Sequence, residues 1–130
     1  MWKFTKNTRY NNIQGIYVII ITQTRIKQAI EEYPQWQFGI QLWLEVFKQK
    51  DINFESYQQI KKIWAEASGW NVDRIPARQV TDIAFKGNFD IHKNKCRIIT
   101  RIQAATNKIF IREVYSHAKY DKWWKTKVKP

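Results

Sequence analysis

Two incompatible hydrophobic periods divide this chain, and neither an all-helical nor an all-sheet fold can satisfy both. Ile26, Ala29, Ile30 and Tyr33 fall at i, i+3, i+4 and i+7, the stripe of a short helix that stops before Pro34. Ile40, Trp43, Leu44 and Phe47 repeat the spacing, and Ile60, Ile63, Trp64 and Ala67 repeat it again. The third stripe follows Ser56, where Ser-x-x-Gln59 resembles a capping box, and ends near Gly69, a suitable terminator. From Val80 onward the pattern becomes that of strands. Arg97, Ile99 and Arg101 alternate with Ile98, Thr100 and Ile102, as expected where the two faces of a sheet differ. Ala105 to Lys108 reads as a turn and Ile109 to Tyr115 as the returning strand. Upstream, the β-branched run Tyr17 to Thr22 predicts a strand buried on both faces, and Gly69 to Arg78, punctuated by Pro76, predicts a loop. The expected order is a strand, three helices, an antiparallel meander and a short C-terminal helix. That is an α+β arrangement with the helices packed on one face of a small antiparallel sheet. The other face is left open, with Arg97, Arg101 and Arg112 able to line it.

Composition narrows the function. A chain of 130 residues suits one domain, which we place at residues 17–125, between a basic N-terminal arm at 1–16 and a basic tail at 126–130. Residues 91–130 carry eleven Lys/Arg against two Asp/Glu, so nine of the twelve net positive charges sit in the last forty positions. Such asymmetry is the footprint of a polyanion-binding surface. One cysteine, Cys96, excludes an internal disulfide and points to a reducing compartment. The longest apolar run, Ile16 to Ile21, is far short of the roughly 20 residues that cross a bilayer. Met1-Trp2-Lys3-Phe4 lacks the apolar stretch and cleavage site of a secretory signal, so the expected location is the cytoplasm, with no membrane partner.

The C-terminal segment Ile109-Phe110-Ile111-Arg112, followed by Ser116-His117-Ala118-Lys119-Tyr120-Asp121-Lys122, resembles the ending of HigB toxins, RelE-like ribonucleases of bacterial toxin–antitoxin pairs. The family pattern there is a "(V/I)(F/Y)IR" strand running into "THAEYDK", from which this chain departs in Ser for Thr and Lys for Glu. Upstream, Phe89-Asp90-Ile91-His92-Lys93-Asn94-Lys95-Cys96-Arg97-Ile98 is similar to the family's "F(N/D)I-x-G-NK-x-RL". Lys93 stands at the family's usual Gly, so the family's turn geometry does not carry over there on sequence alone. Ile21-Thr22-Gln23 resembles the opening strand, and the similarity extends over about residues 18–125. Typical members begin near Val18. Because a valine codon can initiate bacterial translation, we expect a start at Val18, with the arm outside the native protein, as the alternative to Met1.

The resemblance implies a RelE-like fold and an endoribonuclease that cleaves mRNA, on the ribosome, with no cofactor. Its partner would be a HigA-type helix-turn-helix antitoxin. Attack of a ribose 2′-hydroxyl on the adjacent phosphate needs a base, cations for the crowded phosphate and an acid for the leaving 5′-oxygen, and His, Lys, Arg and Tyr can supply these without metal. The candidate catalytic residues are His117, Tyr120, Lys95, Arg97 and Arg112. His117 has the reference pKa suited to proton transfer, and Tyr120 shares its face if the segment is helical. Lys95 and Arg97, two apart on a strand, would point to one face beside Arg112. Arg101, Lys93, Lys119, Lys122 and Lys125 are expected to contact the RNA backbone, as are Lys127 and Lys129. His92 is a lesser candidate, near the hairpin, and Cys96 is expected to pack inward. Two His and one Cys give no recognised metal-ligand spacing, so no metal is expected. Trp36, Trp43 and Trp64 are assigned to the core, and Trp123-Trp124 to closing it rather than stacking on bases. The competing readings are a noncatalytic RNA-binding module or degenerate toxin, and a structural subunit whose basic face docks an acidic protein.

Overall fold

The computed structural model describes residues 16–75 and 84–128. The 1–15 arm, Val80 and the last two residues of the tail lie outside that description. A short strand, β1 (Ile19–Ile21), leads into α1 (Thr24–Glu32), α2 (Gln37–Lys48) and α3 (Tyr57–Ser68). Strands β2 (Val72–Ile75), β3 (Ala84–Ile91), β4 (Cys96–Gln103) and β5 (Lys108–Ser116) follow, then α4 (His117–Trp123). The sheet order is β1-β5-β4-β3-β2, with β1 parallel to β5 and every other pair antiparallel. The sheet is therefore mixed rather than purely antiparallel.

The predicted helices form where their stripes lie. Ile26 and Ala29 of α1, Ile40, Trp43 and Phe47 of α2, and Ile60 and Trp64 of α3 are all buried, while Ala67 at the end of the last stripe is exposed. Ser56 Oγ accepts from the Gln59 N–H at 3.4 Å, and Gly69 closes α3 in the left-handed region at φ 79°, which costs a residue without Cβ nothing. Trp43, Phe47, Trp64 and Phe89 pack ring on ring between the helices and β3, and Trp64 Nε1 donates to the Asp90 carbonyl at 2.9 Å. Cys96 faces the same core, where burial pushes its thiol up to about 12.

Three expectations need correction. The segment read as a loop contains β2, whose buried residues Val72 and Ile75 are three apart and so face opposite sides of the sheet, giving no alternation to read. β1 is an edge strand buried on one face only: Val18 and Ile20 point into the core, while Tyr17 and Ile19, on the opposite face, are about half exposed. The far face of the sheet is only partly open, because α4 folds across it. Tyr120 packs there with Ile75 and Ile99, flanked by Tyr115, Trp123 and Trp124, in a second apolar cluster.

Candidate functional site

The site begins where β5 ends. Ser116 caps α4 by accepting from the Lys119 N–H at 3.2 Å, which explains why a Ser replaces Thr here without loss of function as a cap. The His117 N–H donates to the Lys95 carbonyl at 3.0 Å, tying the start of α4 to the β3–β4 hairpin. One turn on, Asp121 Oδ2 stands 3.2 Å from His117 Nε2, and both side chains are about half exposed. Lys95 belongs to the hairpin turn rather than to β4, so it does not share a strand face with Arg97; its side chain is exposed. Lys93 lies exposed in the same turn with φ 64°.

Beneath α4 lies a drier layer. The Arg97 guanidinium stacks over the Tyr120 ring at 4.5 Å, and its Nε is 3.4 Å from Asp90 Oδ1. That contact is an ion pair without hydrogen-bond geometry, for neither atom has a bonded partner. Burial drives the Asp90 carboxyl up to about 6, although Arg97 pulls it down. Burial likewise raises the Tyr120 phenol, which therefore stays protonated at neutral pH. Asn88 is fully buried and close enough to lower that phenol slightly, yet neither of its amide atoms makes a hydrogen bond of good geometry. Arg97 and Tyr120 thus sit largely inside the protein, supporting α4.

A concave groove of about 490 Å³ opens on the same face, beyond the point where β1 stops. It is lined by the buried Ile99, Thr100 and Ile111 and by Arg25, Lys86, Phe110, Arg112, Glu113, Tyr115 and Trp123. A β-bulge shapes it. Ile99 pairs with Glu113 and Thr100 with Ile111, leaving Arg112 as the extra residue. Arg112 and Glu113, neighbours that an unbroken strand would send to opposite faces, both line the groove. Arg25 reaches from α1 to Glu113, Nη1 to Oε1 at 3.2 Å, and burial followed by the charge of Glu113 raises the Tyr115 phenol.

The sequence candidates therefore divide in two. His117 and Lys95 meet at the hairpin end, with Arg97 and Tyr120 packed below. Arg112 lies in the groove, five residues up β5 from His117, roughly 16 Å at about 3.3 Å per residue. Arg101 is exposed on the open face, paired with Lys86 and Phe110. Lys119, Lys122 and Lys125 are exposed along and beyond α4, Lys119 within 3.9 Å of Glu32. Sequence reading missed Arg25, Lys86, Glu113 and Tyr115. Lys86, between Phe85 and Gly87, follows the strand alternation and could have been found from it; Arg25 carries no local signal. His92 packs against α2: its Nε2 accepts from the Gly39 N–H at 3.1 Å, and its ring lies 5.0 Å from that of Trp70. Among the described residues no three His, Cys, Asp or Glu are grouped to hold a metal ion, and no helix is long and apolar enough to cross a membrane.

A mixed five-strand sheet with three helices on one face and a short helix closing part of the other is the architecture of a RelE-like α+β protein. The family model for the HigB toxin, the RelE-like toxic component of a toxin–antitoxin system, matches residues 39–123, from α2 to the end of α4. The chain belongs to this family: it is the toxin of a toxin–antitoxin system, and an antitoxin is its partner. Comparison with curated proteins gives no match.

Proposed function

We propose that this toxin is an endoribonuclease that cleaves mRNA on the ribosome by metal-independent attack of a ribose 2′-hydroxyl on the neighbouring phosphate. The observation that carries the reading is the setting of His117, exposed, held by Asp121, and tethered through its backbone to the hairpin that presents Lys95. A His in this position can pass a proton to or from a substrate lying across α4 and the hairpin. Lys95 supplies positive charge to the phosphate as it becomes crowded with negative oxygen. As the 2′-oxygen bonds to phosphorus it gives its proton to a base, and the bond to the 5′-oxygen breaks as an acid protonates that oxygen, leaving a 2′,3′-cyclic phosphate and a 5′-hydroxyl. Tyr120 lies beneath this surface as a protonated phenol whose ring carries Arg97, and so supports the helix that presents His117. Arg112, Lys86 and Arg25 in the groove, with Arg101 and the lysines of α4, extend the cationic track along which RNA lies.

The neutralising partner in this reading is a HigA-type helix-turn-helix antitoxin, whose acidic or amphipathic segment would suit the same basic face. The test is induced expression of the wild type and of His117→Ala in bacteria. Growth arrest with new mRNA 5′ ends in the wild type alone supports the ribonuclease. Salt-sensitive RNA binding by both proteins, with no cleavage by either, favours the noncatalytic RNA-binding module.

A further inference from the structure

We infer that the groove at the β5 bulge is a guanine-recognition subsite for single-stranded RNA, in which Glu113 reads the Watson–Crick edge and Arg112 the O6/N7 edge. The inference rests on the ribonuclease reading and deepens it by naming the base.

A strand exposes alternate residues, yet the register shift at Ile99/Thr100 brings both Arg112 and Glu113 into one concavity. Bulges re-aim side chains in this way beside functional sites. Among the described residues that line the groove Glu113 is the one acid, on a chain whose last forty positions carry nine excess positive charges. A phosphate track alone gains nothing from a carboxylate in its path. Arg25 holds one oxygen of that carboxylate at 3.2 Å, which fixes its direction and leaves the second oxygen, and one lone pair of the first, for a ligand. Tyr115 and Trp123, 6.1 Å apart at 54°, and Phe110 all line the groove, whose volume of about 490 Å³ has room for a purine.

The donor and acceptor pattern then selects one base. Guanine offers a carboxylate two adjacent donors, N1–H and the N2 amino group, and offers a guanidinium two acceptors, O6 and N7. Adenine has no N1–H for Glu113 and turns its N6 amino donor toward Arg112. Cytosine presents a single donor beside an acceptor. Uracil flanks its one N3–H with carbonyl oxygens that the carboxylate repels. Because Arg112 stands roughly 16 Å along β5 from His117, the base read here is not the one flanking the cut bond.

The test uses guanosine and adenosine 5′-monophosphate as probes of the full chain, titrated separately and followed by tryptophan fluorescence and amide chemical shifts. The wild type should bind the guanine nucleotide about tenfold or more tightly than the adenine nucleotide. Glu113→Gln should bring the ratio close to one, and Arg112→Lys, which keeps charge but loses the fork, should lower it. Equal affinity in the wild type, no binding of either, or a ratio that survives Glu113→Gln would overturn the assignment and leave Glu113 as a clamp on α1. Should Glu113→Gln fail to fold, the wild-type ratio and Arg112→Lys decide. The readout needs no cleavage, so a failure of the ribonuclease reading appears in the His117 comparison and a failure of the subsite in this ratio.

Discussion

The contact between Gly39 and His92 links the start of α2 to the β3–β4 hairpin, and it can be tested by a double-mutant cycle. A Cβ at position 39 would lie 2.6 Å from Ile91 Cγ2, 2.8 Å from His92 Cδ2 and 2.9 Å from His92 Nε2, closer than real Cβ contacts allow. Gly39→Ala must therefore displace the imidazole and break the 3.1 Å hydrogen bond from the Gly39 N–H. Overpacking costs about 1–3 kcal/mol and the lost bond about 1, against about 1 regained from helix propensity, so we expect a net loss of roughly 1–3 kcal/mol. His92→Ala strands the same N–H inside the protein and should cost about 2 kcal/mol. In the double variant the bond is lost only once and the imidazole clash is gone. The combined loss should then fall short of the sum by about 1 kcal/mol or more. Urea denaturation at neutral pH, with fitted slopes that stay constant, measures all four corners. Additive losses would refute the reasoning, because they would mean that Gly39 is small for a reason other than this ring.

Two further outcomes follow from the same physics. Burial raises the Asp90 carboxyl from an ordinary 3.8 to about 6, so the folded state holds this proton more tightly than the unfolded chain. Its contribution is fully present below about pH 4 and is lost as pH climbs toward 6, on the order of 3 kcal/mol in all. Asp90→Asn should flatten that part of the stability profile, measured from urea midpoints at pH 4 and pH 7; an unchanged slope would refute the assignment to Asp90. Lys93 is held at φ 64°, where an L side chain costs roughly 1–2 kcal/mol. Lys93→Gly should raise the thermal midpoint, and a lowered one would mean that the lysine side chain stabilises the turn.

What the sequence exposed and what it hid divide along physical lines. The three stripes were legible because each helix buries one face, and so was the Ser56 cap, because its hydrogen bond is local. β2 was not, since a four-residue strand with one apolar side chain on each face has no period. The path of α4 was hidden too. Seven residues can show that His117, Tyr120 and Asp121 are close along a helix, but not that the helix turns back over Ile75 and Ile99. Candidate residues chosen for chemistry alone consequently fell at two depths. His117 and Lys95 are exposed, whereas Arg97 and Tyr120 are largely enclosed, and only packing across the chain could separate them. The bulge that brings Arg112 and Glu113 together depends on pairing with β4 and leaves no mark in Ile111-Arg112-Glu113-Val114. His92 was ambiguous for a similar reason: its partner is Gly39, across the domain.

The most direct test of the central claim is the chemistry of the RNA ends in cells expressing the wild-type toxin. Attack by the 2′-hydroxyl requires 5′-hydroxyl and 2′,3′-cyclic phosphate ends at the cut sites, and these should disappear with His117→Ala. Cuts bearing 5′-phosphate and 3′-hydroxyl ends, or cyclic phosphate ends that persist at wild-type levels in His117→Ala, would contradict the account.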